Sequence, residues 1–104
     1  MNAVLVQYKV KADRVAENEE KVRAVYRELA ERQDSSIHYA TFKLDDGQSF
    51  AHVAMWADDA PDAGLGSIEA FKAFQENIGD RCEVPPQPAP LNLVGNWNLL
   101  PDGV

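Results

Sequence analysis

His52 is the residue whose type and neighbours best suit chemistry. It stands among apolar residues in the run Gln48 to Trp56. An imidazole of unperturbed pKa near ~6.5 can take a proton from a phenol or hydroquinone at neutral pH. The electron-rich anion so formed can react with dioxygen directly, the protein supplying apolar walls and orientation. The plainer alternative is a buried histidine satisfied by a polar neighbour. Tyr8 offers a hydroxyl to a substrate oxygen, or is core with a polar tip. His38 is a second imidazole, nearer a strand end. Trp56, Phe71 and Phe74 read as an aromatic wall or as plain core. Gln75 reads as a ligand's hydrogen-bond partner or as a surface side chain.

Other motifs carry less. His38 and His52 have no His-x-x-x-His or Cys-x-x-Cys companions, so neither a metal nor a cofactor is expected. Asp58-Asp59-Ala60-Pro61-Asp62 looks like an aspartate-rich magnesium motif. Such a motif belongs on a helix, and Pro61 breaks one, which leaves a solvated acidic loop. Gly64-Leu65-Gly66-Ser67 at a helix start suits an anion, but the aspartates upstream oppose phosphate. There is no Gly-x-Ser-x-Gly elbow and no P-loop. Cys82 is the single cysteine and cannot form an intrachain disulfide, which favours the cytoplasm. Arg81 would favour its thiolate; Asp80 and Glu83 oppose it.

These residues need elements to hold them. Ala3 to Lys11 alternates, with Val4, Val6, Tyr8 and Val10 on one face, and reads as a strand. Asp13 is a candidate N-cap for a helix to about Arg32. Val15, Val22, Val25, Tyr26 and Leu29 form its apolar stripe. Glu17 with Lys21, Glu19 with Arg23 and Glu28 with Arg32 make its opposite face a solvated one. Ile37 to Leu44 and Gln48 to Trp56 are strands joined by Asp45-Asp46-Gly47. A three-residue loop sets Leu44 opposite Gln48 and puts His38 and His52 on one face. A two-residue turn sets Asp45 opposite Gln48 and separates them. The first register is preferred, because it leaves the aspartate pair wholly in the loop. Ser67 is a candidate cap for a second helix, with Ile68, Phe71, Phe74 and Ile78 on one side and an end at Gly79 to Arg81. Pro85, Pro86, Pro88 and Pro90 read as an extended connector. Leu91 to Leu100 is then the last strand. The order β-α-β-β-α-β predicts an α+β, ferredoxin-like fold, a four-stranded antiparallel sheet with both helices on one face.

The chain has 104 residues and a formal net charge of -7, one domain's worth spanning 1–104. That charge argues against nucleic acid and anionic membranes as partners. The apolar run from Ala3 stops at Gln7, far short of the ~20 residues of a membrane span. Two helices cover one face of such a sheet, yet neither face is properly polar. A second copy packed on the open face, as a homodimer, resolves this.

This combination resembles the dimeric α/β-barrel superfamily, and within it the antibiotic-biosynthesis-monooxygenase-like (ABM) proteins. The stretches that carry the likeness are Val53-Ala54-Met55-Trp56 and Ser67-Ile68-Glu69-Ala70-Phe71-Lys72-Ala73-Phe74. The resemblance implies a small apolar pocket between sheet and helices in each subunit. It also implies cofactor-independent monooxygenation of an aromatic or quinol-like molecule, with His52 as base and Tyr8 and His38 orienting the substrate. A non-catalytic ligand-binding or stress-associated dimer, and a muconolactone-isomerase-like proton transfer, use the same fold. Haem-degrading members carry an Asn, a Trp and a His that fall here at Tyr8, Leu65 and Gln75. All three are replaced, which argues against haem.

Overall fold

Period-two alternation forms the first strand, β1 (Asn2–Val10), and a short 3-10 turn leads from it into α1 (Val15–Arg32). A computed structural model describes residues 1–100 of the chain. Asp13 lies inside the 3-10 turn and caps nothing. The helix ends at Gln33, which turns left-handed with φ 54° and donates its N–H to Leu29. The hairpin follows, β2 (His38–Lys43) and β3 (Ser49–Trp56). The second helical region is broken in two. α2 (Glu69–Gln75) stops at Glu76, Asn77 takes a left-handed conformation, and α3 (Ile78–Arg81) resumes. Ser67 is not the cap: its hydroxyl donates to Gly64 O. Instead both oxygens of Glu28, on α1, accept the first N–H groups of α2, from Glu69 at 3.1 Å and Ala70 at 2.9 Å.

The last strand is not Leu91 to Leu100. It is β4 (Cys82–Leu91), the proline-rich stretch itself, and residues 92–100 form no strand. The reason is position in the sheet. The strand order is β2-β3-β1-β4, all antiparallel, so β4 is an edge bonded only to β1. Proline lacks an N–H, and an edge strand tolerates it wherever that nitrogen points away from the partner. Pro88 and Pro90 face Val6 and Val4, and the period of two sets both nitrogens on the same side.

Directly paired residues share a face. Val4, Val6 and Tyr8 of β1 pair with Ala54, His52 and Phe50 of β3, which pair in turn with Tyr39, Thr41 and Lys43 of β2. This face meets the helices. In the core between them Val10, Val25 and Ile68 are the most buried apolar residues, and Phe74 packs with them. The other face carries Ala3, Ala40, Phe42, Val53 and Met55. A groove of about 560 Å³ runs across it, walled on one side by Leu93, Val94 and Leu99. No helix among the described residues is long and apolar enough to cross a membrane.

Candidate functional site

Between the helix-facing side of the sheet and α2 lies a cavity of about 530 Å³. Val4, Val6, Ala54, Leu65 and Ile78 make much of its wall apolar. Tyr8, His52, Trp56, Phe71, Phe74 and Gln75 also line it, as do Tyr39 and Asp62. His38 does not. Its register partner is Met55, so it lies on the opposite face from His52. The preferred hairpin register is therefore corrected to the other one, in which Asp45 stands opposite Gln48. The strands stop at Lys43 and resume at Ser49, so both aspartates lie outside them in this register as well. The Asp46 carboxylate selects between the two registers, accepting the N–H groups of Gln48 at 2.9 Å and Ser49 at 2.8 Å. Gly47 closes the turn at φ 74°.

His52 is only 6% exposed and is hydrogen-bonded at both ring nitrogens. Tyr8 Oη lies 2.7 Å from Nε2. Tyr39 Oη bonds Nδ1, and Thr41 Oγ1 is 3.2 Å from the same nitrogen. The chain of bonds continues outward on both sides of the imidazole. Asn18 Nδ2 donates to Tyr8 Oη at 2.9 Å, and Arg81 Nε donates to Asn18 Oδ1 at 3.3 Å. On the other side Thr41 Oγ1 bonds the Tyr26 hydroxyl at 2.8 Å. Aromatic packing holds the rings: Tyr8 stacks on Phe50 at 5.6 Å, and Tyr26 stacks on Tyr39 at 5.4 Å.

Burial keeps this cluster neutral. It pushes His52 down to about 4, because the imidazolium cannot be solvated there. It raises the phenols of Tyr8 and Tyr39 above the usual tyrosine range. At Tyr8 the Asn18 hydrogen bond and the Arg81 charge work against that rise. Arg81 is 1% exposed and, among the described residues, forms no ion pair. Its other donors go to Phe74 O at 2.7 Å and Glu76 O at 3.2 Å, and its guanidinium lies 5.4 Å from the Phe74 ring centre. Those bonds to carbonyls also stop the break between α2 and α3 from exposing unsatisfied backbone.

Sequence reasoning missed Tyr39, Thr41, Asn18 and Arg81. Tyr39 and Thr41 fell on the wrong face with the register. Asn18 left a signal: it occupies the fourth-residue gap between Val15 and Val22 in the apolar stripe of α1. A haem does not fit here. His52 is the cavity's one histidine, and both of its nitrogens are engaged within the protein. Among the described residues no three His, Cys, Asp or Glu side chains cluster to hold a metal.

Fold and site together define an α+β, ferredoxin-like protein whose helix-covered sheet face holds an apolar cavity around a buried tyrosine–histidine cluster. The chain belongs to the antibiotic biosynthesis monooxygenase (ABM) family, whose sequence model matches residues 1–77. No curated protein matches it. Several solved structures share the fold. One is a putative antibiotic biosynthesis monooxygenase from Nitrosomonas europaea, with TM-score 0.72 and 14% identity over 91% of this chain and 100% of that one. A second, from Caulobacter crescentus, has TM-score 0.70 and 18% identity over 90% of each chain. A third is SnoaB of Streptomyces nogalater, a cofactor-independent oxygenase, with TM-score 0.67 and 13% identity over 93% of this chain and 96% of that one. At such identities the likeness is one of fold.

Proposed function

We propose that the cavity binds a small aromatic or quinol-like molecule and that the protein oxygenates it without a cofactor. The observation that carries this reading is a neutral histidine set between two tyrosine hydroxyls in the wall of an otherwise apolar cavity. The substrate's phenolic proton passes to Tyr8 Oη as the Tyr8 proton moves to His52 Nε2. His52 is thus the base, and Tyr8 carries the proton to it. An imidazolium in this burial is costly alone. The phenolate formed beside it offsets that cost, as an opposite charge favours the charged form. The phenolate pushes electrons to an activated methylene carbon, which reacts with dioxygen. One oxygen atom stays as a carbonyl and the other leaves as water, with the substrate supplying all the electrons. Trp56, Phe71 and Phe74 hold the ring, and Gln75 is a further polar contact.

Oxygen uptake with a panel of hydroquinones and phenols that carry a ring-activated methylene, wild type against His52→Ala, tests this. Loss of uptake in the variant is the expected result; equal rates remove His52 from the mechanism. A non-catalytic binding role is the second reading, favoured by the complete hydrogen bonding of His52 in the resting protein. It predicts ligand binding with no uptake in either form.

The working unit in this proposal is a homodimer through the open sheet face. Phe42 is 59% exposed there, and Leu93, Val94, Trp97 and Leu99 of the following segment are 56%, 101%, 90% and 84% exposed. Exposed apolar surface of that extent marks an interface.

A further inference from the structure

We propose that Tyr39 is the residue that holds the ligand's accepting oxygen, a carbonyl or phenolate, and that Arg81 sets the direction of that hydrogen bond through Asn18, Tyr8 and His52. This rests on reading the cavity as a ligand site, and it adds to that reading which oxygen chemistry the site selects.

The direction follows from counting donors. A guanidinium has donors only. Arg81 Nε–H therefore gives to the Asn18 side-chain oxygen, and this turns the Asn18 amide nitrogen towards Tyr8. With the amide reversed, two donors would face each other. Tyr8 Oη thus accepts from Asn18, and its own hydrogen has His52 Nε2 before it at 2.7 Å. A neutral imidazole has one donor and one acceptor nitrogen. Nε2 accepts, so Nδ1 carries the hydrogen, and it points at Tyr39 Oη and Thr41 Oγ1. Tyr39 Oη receives, and its own hydrogen is left to give. A ligand oxygen in the cavity, which Tyr39 lines, is placed to take it.

Every bond then runs in the same sense, away from a buried positive charge. Bonds aligned in this way polarise one another, and each strengthens the next. The last donor meets the cavity, whose wall is mostly apolar, and there a developing negative charge is stabilised more than in water. Such a site favours a ligand with an accepting oxygen over one that offers only apolar surface. The Tyr39 ring is held for this role by Tyr26, stacked on it, and by Phe71, edge-on at 6.1 Å. Tyr39 touches the ligand; Asn18 and Arg81 are positioning residues.

The tautomer can be observed directly. Nitrogen-15 spectra of the full chain labelled at histidine should show His52 at neutral pH with hydrogen on Nδ1 and a bare Nε2. Hydrogen on Nε2 overturns the proposal. Binding is read with 1-tetralone, which has one carbonyl, and tetralin, which has none. Tyr39→Phe should weaken 1-tetralone about tenfold, as expected of a lost hydrogen bond, and leave tetralin within about twofold. Asn18→Asp keeps an acceptor for Arg81 but also accepts from Tyr8, so the chain should reverse. Nε2 then carries the hydrogen, Nδ1 takes that of Tyr39, and 1-tetralone weakens as in Tyr39→Phe. Unchanged 1-tetralone affinity in Tyr39→Phe, or an unchanged tautomer in Asn18→Asp, overturns the proposal. Tetralin binding without preference for the ketone sinks the donor assignment alone. Failure of both probes to bind sinks the cavity reading and the proposal with it.

Discussion

The Tyr8 hydroxyl and His52 Nε2 stand 2.7 Å apart, both residues almost wholly buried, so the imidazole is neutral because burial leaves it no solvent for a charge. That has a consequence for stability. The folded His52 titrates at about 4, the unfolded one near ~6.5. As pH falls between these values the unfolded chain takes up a proton that the folded one refuses. Stability is therefore complete above about pH 6.5 and is lost on the way down to about pH 4, by roughly 3 kcal/mol. Asp34, Asp46 and Glu28 are shifted downward by their hydrogen bonds, so their contribution is lost only in more acid solution. Urea unfolding at a series of pH values should show the slope between about pH 6.5 and 5 in the wild type and not in His52→Gln. A slope that survives in the variant assigns it to another group.

Asn18 is the hinge of the polar chain, and its loss should be felt in stability. Asn18→Leu fills the same space with apolar atoms but strips Arg81 Nε of its acceptor and Tyr8 Oη of a donor. The expected cost is about 2–3 kcal/mol, from leaving a buried charged donor unsatisfied. Denaturant midpoints measure it. A neutral substitution would mean that Arg81 finds water or another partner there.

How much of this is legible from residues alone depends on the residue. The strands β1, β2 and β3 and the helix α1 follow from local periodicity, which acts within one element. β4 does not, because its prolines are acceptable only on an edge, and edge position is a property of the whole sheet. The hairpin register turned on the Asp46 carboxylate and its two backbone donors, a detail that placing both aspartates in the loop could not resolve. His38 was misplaced for that reason and Tyr39 overlooked. Asn18 was visible as a polar residue in an apolar stripe. Arg81 had no pattern to reveal it, since a charge next to a lone cysteine reads as surface.

Glu28 ties α1 to the start of α2, where its carboxylate takes two backbone N–H groups and Arg32 Nε bonds it at 3.0 Å. α2 has only seven residues, too few to persist without tertiary support. Glu28→Ala should lower the denaturant midpoint, as the loss of a cap does. It should also speed amide exchange at Glu69 and Ala70 and loosen ligand binding, because Phe71, Phe74 and Gln75 ride on α2. Unchanged exchange at those two amides would rule out the anchoring role.

Gly64 and Gly47 both hold positive φ, at 82° and 74°, yet their alanine variants should differ. At Gly47 an added Cβ meets nothing within 4 Å, so only backbone strain of roughly 1 kcal/mol applies. At Gly64 the added Cβ lies 3.2 Å from Ile37 Cγ1, which must give way. The loop there also supplies Asp62, Ala63 and Leu65 to the cavity wall. Gly64→Ala should therefore lower the melting temperature more than Gly47→Ala and weaken ligand binding, which Gly47→Ala leaves alone.

Phe42 points away from the site, on the sheet face that the helices do not cover, and is 59% exposed. A monomer gains little from it, so Phe42→Asp should leave the folded chain nearly as stable as before. In a dimer closed through this face by two-fold symmetry the substitution enters the interface twice, and burying two carboxylates without partners costs several kcal/mol. Sedimentation should find the wild type at twice the chain mass of 11.5 kDa and Phe42→Asp at the single mass, with its secondary structure intact. A wild type that sediments as a single chain at micromolar concentration would leave the apolar face without the partner assigned to it. If only the variant's affinity for ligand changed, the face would matter to the cavity through the sheet instead of through a second copy.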